Sequence, residues 1–266
     1  MFDSFNRRIT YLRVSVTDRC NLRCTYCMPE CGINPLPHSE VLSFEEIEKV
    51  VRYGVSQGIN KVRITGGEPL IRKNIVHLVE LLASIDGIHE LGMTTNGTLL
   101  NRFASDLKRA GLQRVNISLD SVDPGRFRQI TRLGNLEDVF RGIEAARKAG
   151  LEPIKINCVI SRSPEEPDAA GVRDYCKRNN LQLRYIKEMN LETGQFSQVI
   201  GGDGGHCASC NRLRLTSNGD LKPCLFSNLA YNVRAMGIEE AYHAALTNKP
   251  LCGSVNHKNQ FNNIGG

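Results

Sequence analysis

The chain has 266 residues, of which 41% are hydrophobic and 23% charged, and its formal net charge is +6. These fractions are those of an ordinary soluble globular protein with a full hydrophobic core. Because the positive charge is modest and is not concentrated in a Lys/Arg-rich tail, nucleic acid is not indicated as a partner, whereas a small anionic substrate would account for the charge.

The N-terminal residues 1–12 contain no uninterrupted apolar segment, and no stretch reaches membrane-spanning length. We therefore expect a cytoplasmic protein with no membrane partner. Ten cysteines in such a reducing compartment favour metal ligation over disulfides. Six of them form two triads, whereas Cys158, Cys176 and Cys252 are isolated and are expected to pack as buried thiols. Cys31 lies close enough to the first triad to stay ambiguous.

The first triad follows a predicted strand at 9–17. Cys20, Cys24 and Cys27 have the spacing C-x3-C-x2-C and lie on the loop that leaves this strand. Three thiolates are one fewer than the four that hold an iron–sulfur cube, so one iron would stay open to another molecule, unlike the zinc of a closed four-ligand site. Taken alone, the spacing leaves two alternatives open, a zinc knuckle and three buried thiols without a metal.

From residue 9 to 190, short β-branched segments alternate with helical patterns, as in a parallel sheet covered by helices. The predicted strands are 9–17, 61–66, 90–95, 114–119, 153–160 and 182–189. The first helix is predicted to begin at Ser43, which forms a capping-box pattern with Glu46, and to end at Gly58. Later helices are predicted at 98–110, 136–149 and about 166–178. Six such units predict an α/β fold, an incomplete (β/α)6 barrel with its chemistry at the C-terminal ends of the strands.

Polar motifs follow the predicted strands at that edge of the barrel. They are Gly66-Gly67-Glu68-Pro69 after the second strand, Thr94-Thr95-Asn96-Gly97 after the third, Asn116 to Asp120 after the fourth, Lys155 and Asn157 on the fifth, and Glu188-Met189-Asn190 at the end of the sixth. Each motif alone would be an ordinary turn or a solvent-facing strand residue. Their shared position at one rim, above the first triad, predicts an active site there.

The alternation stops after residue 190. Residues 191–206 are rich in glycine and polar groups and predict a linker or mobile loop. The second triad, Cys207, Cys210 and Cys224, has the spacing C-x2-C-x13-C and lies on a predicted hairpin with its turn at Asn218-Gly219, which we expect to face the rim. A zinc ribbon completed by His206 stays an alternative at this triad.

A helix near 238–247 and a tail ending in Gly265-Gly266 complete the chain. The predicted domain organisation is therefore a partial barrel at 1–190, a linker at 191–206 and a C-terminal region at 207–266 that carries the second triad.

Together these motifs make the chain resemble the members of one superfamily and, more closely, of one family within it. The first triad has the signature spacing of the radical S-adenosylmethionine (SAM) superfamily. With the second triad and the motifs RITGGEPL, TTNG, NISLDS, CNRLRLTSNGDLKPCLF and the terminal Gly-Gly, the chain resembles the GTP 3′,8-cyclase family, which performs the first step of molybdenum-cofactor biosynthesis. The resemblance implies two [4Fe-4S] clusters, one on Cys20, Cys24 and Cys27 and one on Cys207, Cys210 and Cys224, with SAM as a further cofactor.

The resemblance also implies a reaction. The first cluster would cleave SAM, and the resulting 5′-deoxyadenosyl radical would take a hydrogen from C3′ of GTP. The ribose radical would then bond to C8 of guanine and give 3′,8-cyclo-7,8-dihydro-GTP. GTP would thus be the substrate, a reducing electron donor and a downstream pyranopterin-forming enzyme would be partners, and a homodimer is left open.

The same resemblance assigns roles to individual residues. The SAM site would comprise Tyr26, Gly67, Ser118 and Met189. The GTP site would comprise Arg13, Arg63, Thr94, Lys155, Arg212 and Arg214. Arg13, Lys155, Gly265 and Gly266 would act in catalysis. Strand alternation agrees with part of this assignment, because Arg212 and Arg214 lie on one face of their strand, as two side chains that bind one ligand must.

At one place the chain departs from that family, in which a considerably longer segment separates the sixth-strand methionine from the hairpin. Here only residues 190–206 lie between Met189 and Cys207. Two other functions stay open: a radical SAM enzyme with an auxiliary cluster that acts on a peptide, and an electron-transfer or structural iron–sulfur protein without a substrate.

Overall fold

The computed structural model describes residues 1–258 and 261–264. Within them, one sheet has nine strands in the spatial order β6-β5-β4-β3-β2-β1-β7-β8-β9. The strands are β1 (Tyr11–Ser15), β2 (Lys61–Thr65), β3 (Glu90–Thr95), β4 (Arg114–Ser118), β5 (Lys155–Ile160), β6 (Gln182–Lys187), β7 (Arg212–Leu215), β8 (Asp220–Lys222) and β9 (Tyr231–Asn232).

Strands β1 to β6 are parallel to one another and adjacent in chain order. This arrangement confirms the predicted incomplete barrel, and each of the six strands agrees with its predicted range to within two residues at either end. Strand β7 pairs in parallel with the other edge of β1, and β8 and β9 extend the sheet antiparallel.

The position of β7 corrects the expectation that the hairpin faces the rim. Because β7 runs parallel to β1, with Tyr11 beside Arg212, its beginning lies at the N-terminal end of the barrel strands. Cys207 and Cys210 come just before β7, and Cys224 follows the antiparallel β8, so all three lie at that end. The first triad leaves the opposite, C-terminal end of β1, so the two triads lie at the two ends of the barrel.

The helices are α1 (Phe44–Ser56), α2 (Ile75–Ala83), α3 (Leu100–Arg109), α4 (Pro124–Thr131), α5 (Leu136–Lys148), α6 (Pro167–Arg178), α7 (Val233–Met236), α8 (Ile238–Thr247) and α9 (Phe261–Ile264). Those predicted from the sequence, α1, α3, α5, α6 and α8, are confirmed. Among the described residues, none of these helices combines the length and apolarity needed to cross a bilayer.

Local sequence explains which helices could be predicted. The Ser43 hydroxyl accepts a hydrogen bond from Glu46 N, and the Glu46 carboxylate accepts one from Ser43 N, so the predicted capping box at α1 is formed. Sequence analysis missed α2, which begins after Asn74 without a side-chain cap. It also missed α4, although Asp123 caps that helix and Pro124 occupies its first turn, a recognisable start signal.

The two faces of the sheet differ in polarity. Outward-facing residues such as Val62, Ile64 and Ile117 are fully buried and form the main core with the surrounding helices. Many of the alternate, inward-facing positions are polar or charged, such as Arg13 and Arg63, although Ile186 also faces inward. The barrel interior is therefore a cavity lined by both charged and apolar side chains.

The segment 191–206, predicted as a linker, runs back along the edge strand β6. Tyr185 and Ile200 exchange two backbone hydrogen bonds of 3.0 Å in an antiparallel bridge. Phe196 stacks on Phe226 of the hairpin, with ring centroids 4.5 Å apart. A second, smaller core forms there from Leu191, Leu225, Phe226 and Ile264. The segment thus covers β6 and joins the barrel to the hairpin.

Candidate active site

The loop that carries the first triad, residues 16–28 (the cysteine loop), is fixed by the loop after β2. Gly67 N donates to Thr17 O at 2.7 Å, and Glu68 N donates to Arg19 O at 2.8 Å. A Cβ atom on Gly67 would lie 2.1 Å from Arg19 O, closer than any real contact. The close approach of these two backbones therefore requires glycine at position 67.

Glu68 connects the loops after β2 and β3. Its carboxylate is fully buried and accepts hydrogen bonds from Leu70 N (3.1 Å), Thr95 Oγ1 (2.7 Å) and Asn96 N (2.7 Å). Burial raises the pKa of Glu68 to about 7, although these donors act in the opposite direction. Glu68 is not among the described residues that line a cavity, so its role is to hold the loops after β2 and β3 together.

Asp120 connects the cysteine loop to β4 and β5. The Tyr26 hydroxyl donates to Asp120 Oδ2 at 2.6 Å, and Val159 N donates to Asp120 Oδ1 at 2.7 Å. Burial raises the pKa of Asp120 to about 6. The bond fixes the ring of Tyr26 beside the first triad.

Arg132 is hydrogen-bonded to the backbone of the cysteine loop. It follows α4 with φ +62°, an unfavourable backbone conformation for a residue other than glycine. Its guanidinium donates to Arg23 O at 2.8 Å and to Met28 O at 3.0 Å. Strain of this kind persists where surrounding contacts outweigh it, and here those contacts hold the middle and the C-terminal end of the cysteine loop.

A first cavity opens at the C-terminal ends of the strands and contains about 1060 Å³ of empty space, including the part open to solvent. It is lined by the three cysteines of the first triad and by all four residues of the predicted SAM site, Tyr26, Gly67, Ser118 and Met189. Thr94, predicted for the GTP site, also lines this cavity, and its buried hydroxyl has no hydrogen-bond partner among the described residues.

The donor set of the first triad fits an iron–sulfur cluster. Burial raises the pKa of Cys20 to about 11 and that of Cys27 to about 12, so metal binding must displace their protons. Leu22 N donates to Cys20 Sγ at 3.4 Å. In the described part of the chain, no three His, Cys, Asp or Glu side chains could hold a single metal ion. Three separate sulfurs on one cavity are compatible with a cluster, whose thiolates bind different irons.

A second cavity fills the barrel interior below the first and contains about 1260 Å³ of empty space, again including open solvent. Four residues of the predicted GTP site, Arg13, Arg63, Arg212 and Arg214, line it together with Cys207, Cys210 and Cys224. Lys155, the first residue of β5, is not among the described residues that line either cavity. His206, the alternative zinc ligand, also lines the second cavity.

Positive charge dominates the second cavity. Glu90 is shared by Lys61 at 3.0 Å, by Arg63 at 3.1 Å and by Arg114, so one carboxylate faces three cations. Burial opposes ionisation of Tyr11, but neighbouring cations led by Arg13 lower the pKa of its hydroxyl to about 8. The cavity therefore favours an anionic ligand.

The pKa values of individual basic residues show the effect of this positive charge. Burial, together with the charges of Arg13 and Arg212, lowers the pKa of Arg214 to about 9. Burial also lowers the pKa of Lys155 to about 8, with Arg184 contributing. Arg63 is 2% exposed, and its Nε has no hydrogen-bond partner in the described part of the chain. An anion entering the cavity would relieve this repulsion.

Lys249 holds the second triad in place. It is buried, and its ammonium donates to Arg212 O at 2.8 Å and to Pro223 O. Burial tends to raise the pKa of Cys210, but Lys249 and then Arg212 lower it below the usual value. Three thiols beside a buried cation form a donor set that fits a negatively charged thiolate cluster.

The two cavities share one wall. Asn157, Ile186 and Met189 line both of them, so the cavity beside the first triad adjoins the cation-lined cavity that reaches the second triad.

Comparisons with known proteins agree with this arrangement. The model of the Radical SAM superfamily matches residues 14–169. GTP 3′,8-cyclase of Thermodesulfovibrio yellowstonii is 44% identical over 280 aligned residues, which cover 88% of this chain and 87% of that protein. The chain belongs to the GTP 3′,8-cyclase family of the radical SAM superfamily. This membership supports SAM and an iron–sulfur cluster as cofactors.

Another member of the GTP 3′,8-cyclase family, from Petrotoga mobilis, is 38% identical over 313 aligned residues, which cover 98% of this chain and 97% of that protein. Because this alignment is longer than the 266 residues of the chain, the relative has residues that the chain lacks. The chain is thus a shortened member of the family.

Solved structures show the same fold at low identity. Streptococcus suis SuiB bound to S-adenosylmethionine matches with a TM-score of 0.67 and 16% identity over 90% of this chain, which spans 65% of SuiB. The structure of anSMEcpe with bound AdoMet matches with a TM-score of 0.66 and 18% identity, covering 90% of this chain and 81% of that one. Both likenesses support the barrel fold of this chain.

The remaining cysteines behave in two ways. Cys158 and Cys176 are buried, as predicted. The prediction for Cys252 is wrong, because this thiol is exposed and lies beside Cys207. Cys31 is also exposed. Gly265 and Gly266 lie outside the described residues.

Sequence reasoning missed several residues that line the cavities. Arg184 has the same strand parity as Ile186 on β6, so alternation alone would have placed it inside the barrel. Phe196 carried no signal, because its position depends on contact with the hairpin. Phe261 and Asn262 of α9 line the first cavity and bring the C-terminal segment to it.

Proposed function

We propose that the chain is a GTP 3′,8-cyclase, which converts GTP to 3′,8-cyclo-7,8-dihydro-GTP in the first step of molybdenum-cofactor biosynthesis. One observation carries the proposal. A cavity lined by a thiol triad at the C-terminal end of the barrel adjoins an arginine-lined cavity that also contains a second thiol triad.

In the first cavity, Cys20, Cys24 and Cys27 would hold a [4Fe-4S] cluster with one open iron for SAM. When bound, the cluster would supply the electron that cleaves SAM, and SAM would supply the 5′-deoxyadenosyl radical that takes a hydrogen atom from C3′ of GTP. The backbone at Gly67, the Ser118 hydroxyl and the Met189 side chain would surround SAM. Asp120 would keep the Tyr26 ring in position through their 2.6 Å hydrogen bond.

In the second cavity, the cations bind the triphosphate. Arg13, Arg63, Arg184, Arg212 and Arg214 surround one space, and each charge-assisted hydrogen bond contributes on the order of 1.5–3 kcal/mol. Lys155 would act from the N-terminal end of β5 by its charge, since it does not line the cavity. Arg13 and Lys155, with the Gly265-Gly266 tail, remain the proposed catalytic groups.

The shared wall determines where the substrate reacts. A hydrogen atom transfers only over a short contact, so C3′ of GTP has to meet SAM where the cavities join, beside Asn157, Ile186 and Met189. Thr94 lies on the SAM side of this junction, and its unpaired hydroxyl is available to the ribose of GTP.

Cys207, Cys210 and Cys224 would hold a second cluster, which would bind the guanine of GTP. Segment 191–206 encloses this end of the cavity despite its shortness, because Phe196, Val199 and His206 line the wall. The shortened chain therefore keeps a sheltered substrate site, as turnover requires.

The test uses the reconstituted full-length protein with SAM, a reductant and GTP. We expect 5′-deoxyadenosine only when GTP is present, together with the cyclised nucleotide. Cys24→Ala should abolish SAM cleavage. Arg212→Ala should raise the Kd for GTP roughly tenfold to a hundredfold, the loss expected for one charge-assisted bond, while SAM still binds.

Arg52→Ala is the matched control, because Arg52 pairs with Glu48 on the exposed face of α1. It should leave both ligands' affinities unchanged. Deoxyadenosine that forms equally without GTP, or only with a peptide, would contradict the proposed substrate. An Arg212→Ala protein with unaltered GTP affinity would remove Arg212 from the site.

A further inference from the structure

A fourth thiol lies beside the second triad. Cys252 Sγ is 3.2 Å from Cys207 Sγ, and Cys252 is exposed to solvent. The two residues are 45 positions apart in sequence. Cys252 does not line the second cavity in the described part of the chain, whereas Cys207 does, so Cys252 lies on the outer side of its neighbour.

A buried arginine holds the two cysteines together. Arg7 is 7% exposed and forms an ion pair of 2.6 Å with Asp3. Its guanidinium donates to Cys207 O at 2.7 Å, to Leu251 O at 2.9 Å and to Pro250 O at 2.7 Å. The same side chain therefore binds Cys207 itself and the residue directly before Cys252.

The segment around Cys252 is also fixed to the hairpin. Ser254 N donates to Phe226 O at 2.9 Å. A Cβ atom on Gly253 would lie 2.7 Å from Phe226 Cβ, so the backbone approaches the hairpin closely here. With both sides of Cys252 anchored, its proximity to Cys207 is a property of the fold.

We propose that Cys207 and Cys252 form a redox modification site, a thiol pair that closes to a disulfide when Cys207 carries no iron. The reaction partner is a small disulfide such as oxidised glutathione. One cysteine sulfur attacks it, forms a mixed disulfide and releases one reduced thiol. The second cysteine sulfur then attacks the first, forms the Cys207–Cys252 bond and releases the second reduced thiol. The protein loses two electrons and two protons, which the small disulfide takes up.

The consequence rests on the proposed function, in which Cys207 is a ligand of the second cluster. A sulfur in a disulfide cannot bind iron, so the disulfide and the second cluster exclude each other. Oxidation would leave a protein that keeps the first triad but cannot rebuild the second cluster until a reductant opens the bond.

The test uses the full-length chain, stripped of iron with a chelator and incubated with oxidised glutathione. Free thiols are then alkylated, and disulfide-linked peptides are identified by mass spectrometry. We expect the peptide pair joining Cys207 to Cys252 to be the main product that contains either residue. After oxidation, reconstitution should load about half the iron of the reduced sample, because only one of two clusters can form.

Two variants make the result decisive. Cys252→Ser should restore full iron loading after oxidation, whereas Cys31→Ser, which removes the other exposed cysteine, should retain the linked peptide and the loss of iron. Cluster-loaded protein should be protected from the linkage.

Absence of the Cys207–Cys252 peptide in oxidised wild type, or linkage of Cys252 to Cys210 or Cys224 instead, would overturn the inference. A Cys252→Ser protein that loads less iron even when reduced would show that Cys252 is a cluster ligand and would also overturn it. Formation of the Cys207–Cys252 peptide does not depend on the proposed function, which is tested separately by 5′-deoxyadenosine that forms only when GTP is present.

Discussion

At the scale of single residues, the site depends on a few positions with exacting geometry. Gly67 allows two loops to approach, Glu68 ties the rim with three hydrogen bonds, and Arg132 accepts an unfavourable backbone angle to hold the cysteine loop. Replacing any of these residues would move the loops that form the site, and this movement alone would weaken ligand binding.

Gly67→Ala should damage the first site without unfolding the barrel. The added Cβ would lie 2.1 Å from Arg19 O, so the cysteine loop must move. We expect the free energy of unfolding to fall by about 1–3 kcal/mol and SAM affinity to fall with it. Chemical denaturation and SAM titration measure the two effects.

Gly125→Ala is the control for this change. Gly125 lies in the first turn of α4, where the nearest atom to an added Cβ is Asp123 Oδ1 at 3.2 Å. It should alter stability by less than about 1 kcal/mol and leave SAM binding intact. Equal effects of the two substitutions would mean that the backbone contact at Gly67 is not limiting.

At the scale of elements, the short segment 191–206 joins the edge of the barrel to the hairpin. It pairs with β6 through Ile200, packs Phe196 on the hairpin and contributes to the wall of the second cavity. Its role therefore depends on contacts with the two elements that flank it in sequence, β6 and the hairpin.

Phe196→Ala should loosen the hairpin end of the barrel. The phenyl ring stacks on Phe226, in the small core to which Cys224 also belongs. We expect a loss of about 1–3 kcal/mol in stability, together with weaker GTP binding and reduced iron at the second triad. The first triad should retain its iron and SAM its affinity, as measured by iron analysis and calorimetry.

Ile200→Ala provides a matched control within the same segment. The Ile200 side chain is 52% exposed, and its contact with β6 is made by the backbone. Stability and GTP affinity should both stay close to wild type. If Ile200→Ala were as harmful as Phe196→Ala, ring stacking would not be the reason.

At the scale of the whole molecule, the sheet separates two environments. Its outer face is buried against helices, whereas its inner face carries cations that approach one another with few carboxylates between them. A polyanion that binds only the folded barrel should therefore stabilise the entire protein.

Tripolyphosphate should raise the melting temperature of the full-length chain. At about 100 times its Kd, a ligand contributes about 2.7 kcal/mol, which corresponds to roughly 5–10 °C for a domain of this size. The shift should shrink in Arg212→Ala and at high salt, but not in Arg52→Ala. Differential scanning calorimetry measures it, and a shift of the same size in all three proteins and at every salt concentration would contradict binding inside the barrel.

Strand alternation, capping residues and cysteine spacing are local signals, and they were enough to predict the six barrel strands, five of the helices, the two triads and the family resemblance. Arg212 and Arg214 could be assigned to one face for the same reason. Helix α4 was missed although Asp123 and Pro124 give it such a local signal. Neighbours remote in sequence decided the rest.

Only the tertiary structure placed β7 in parallel beside β1, and with it the second triad at the far end of the barrel. It alone also brought Cys252 to Cys207 through the carbonyl contacts of Arg7. Strand pairing and side-chain proximity of this kind arise from burial and hydrogen bonding between distant segments, and no local pattern encodes which partner each segment will meet.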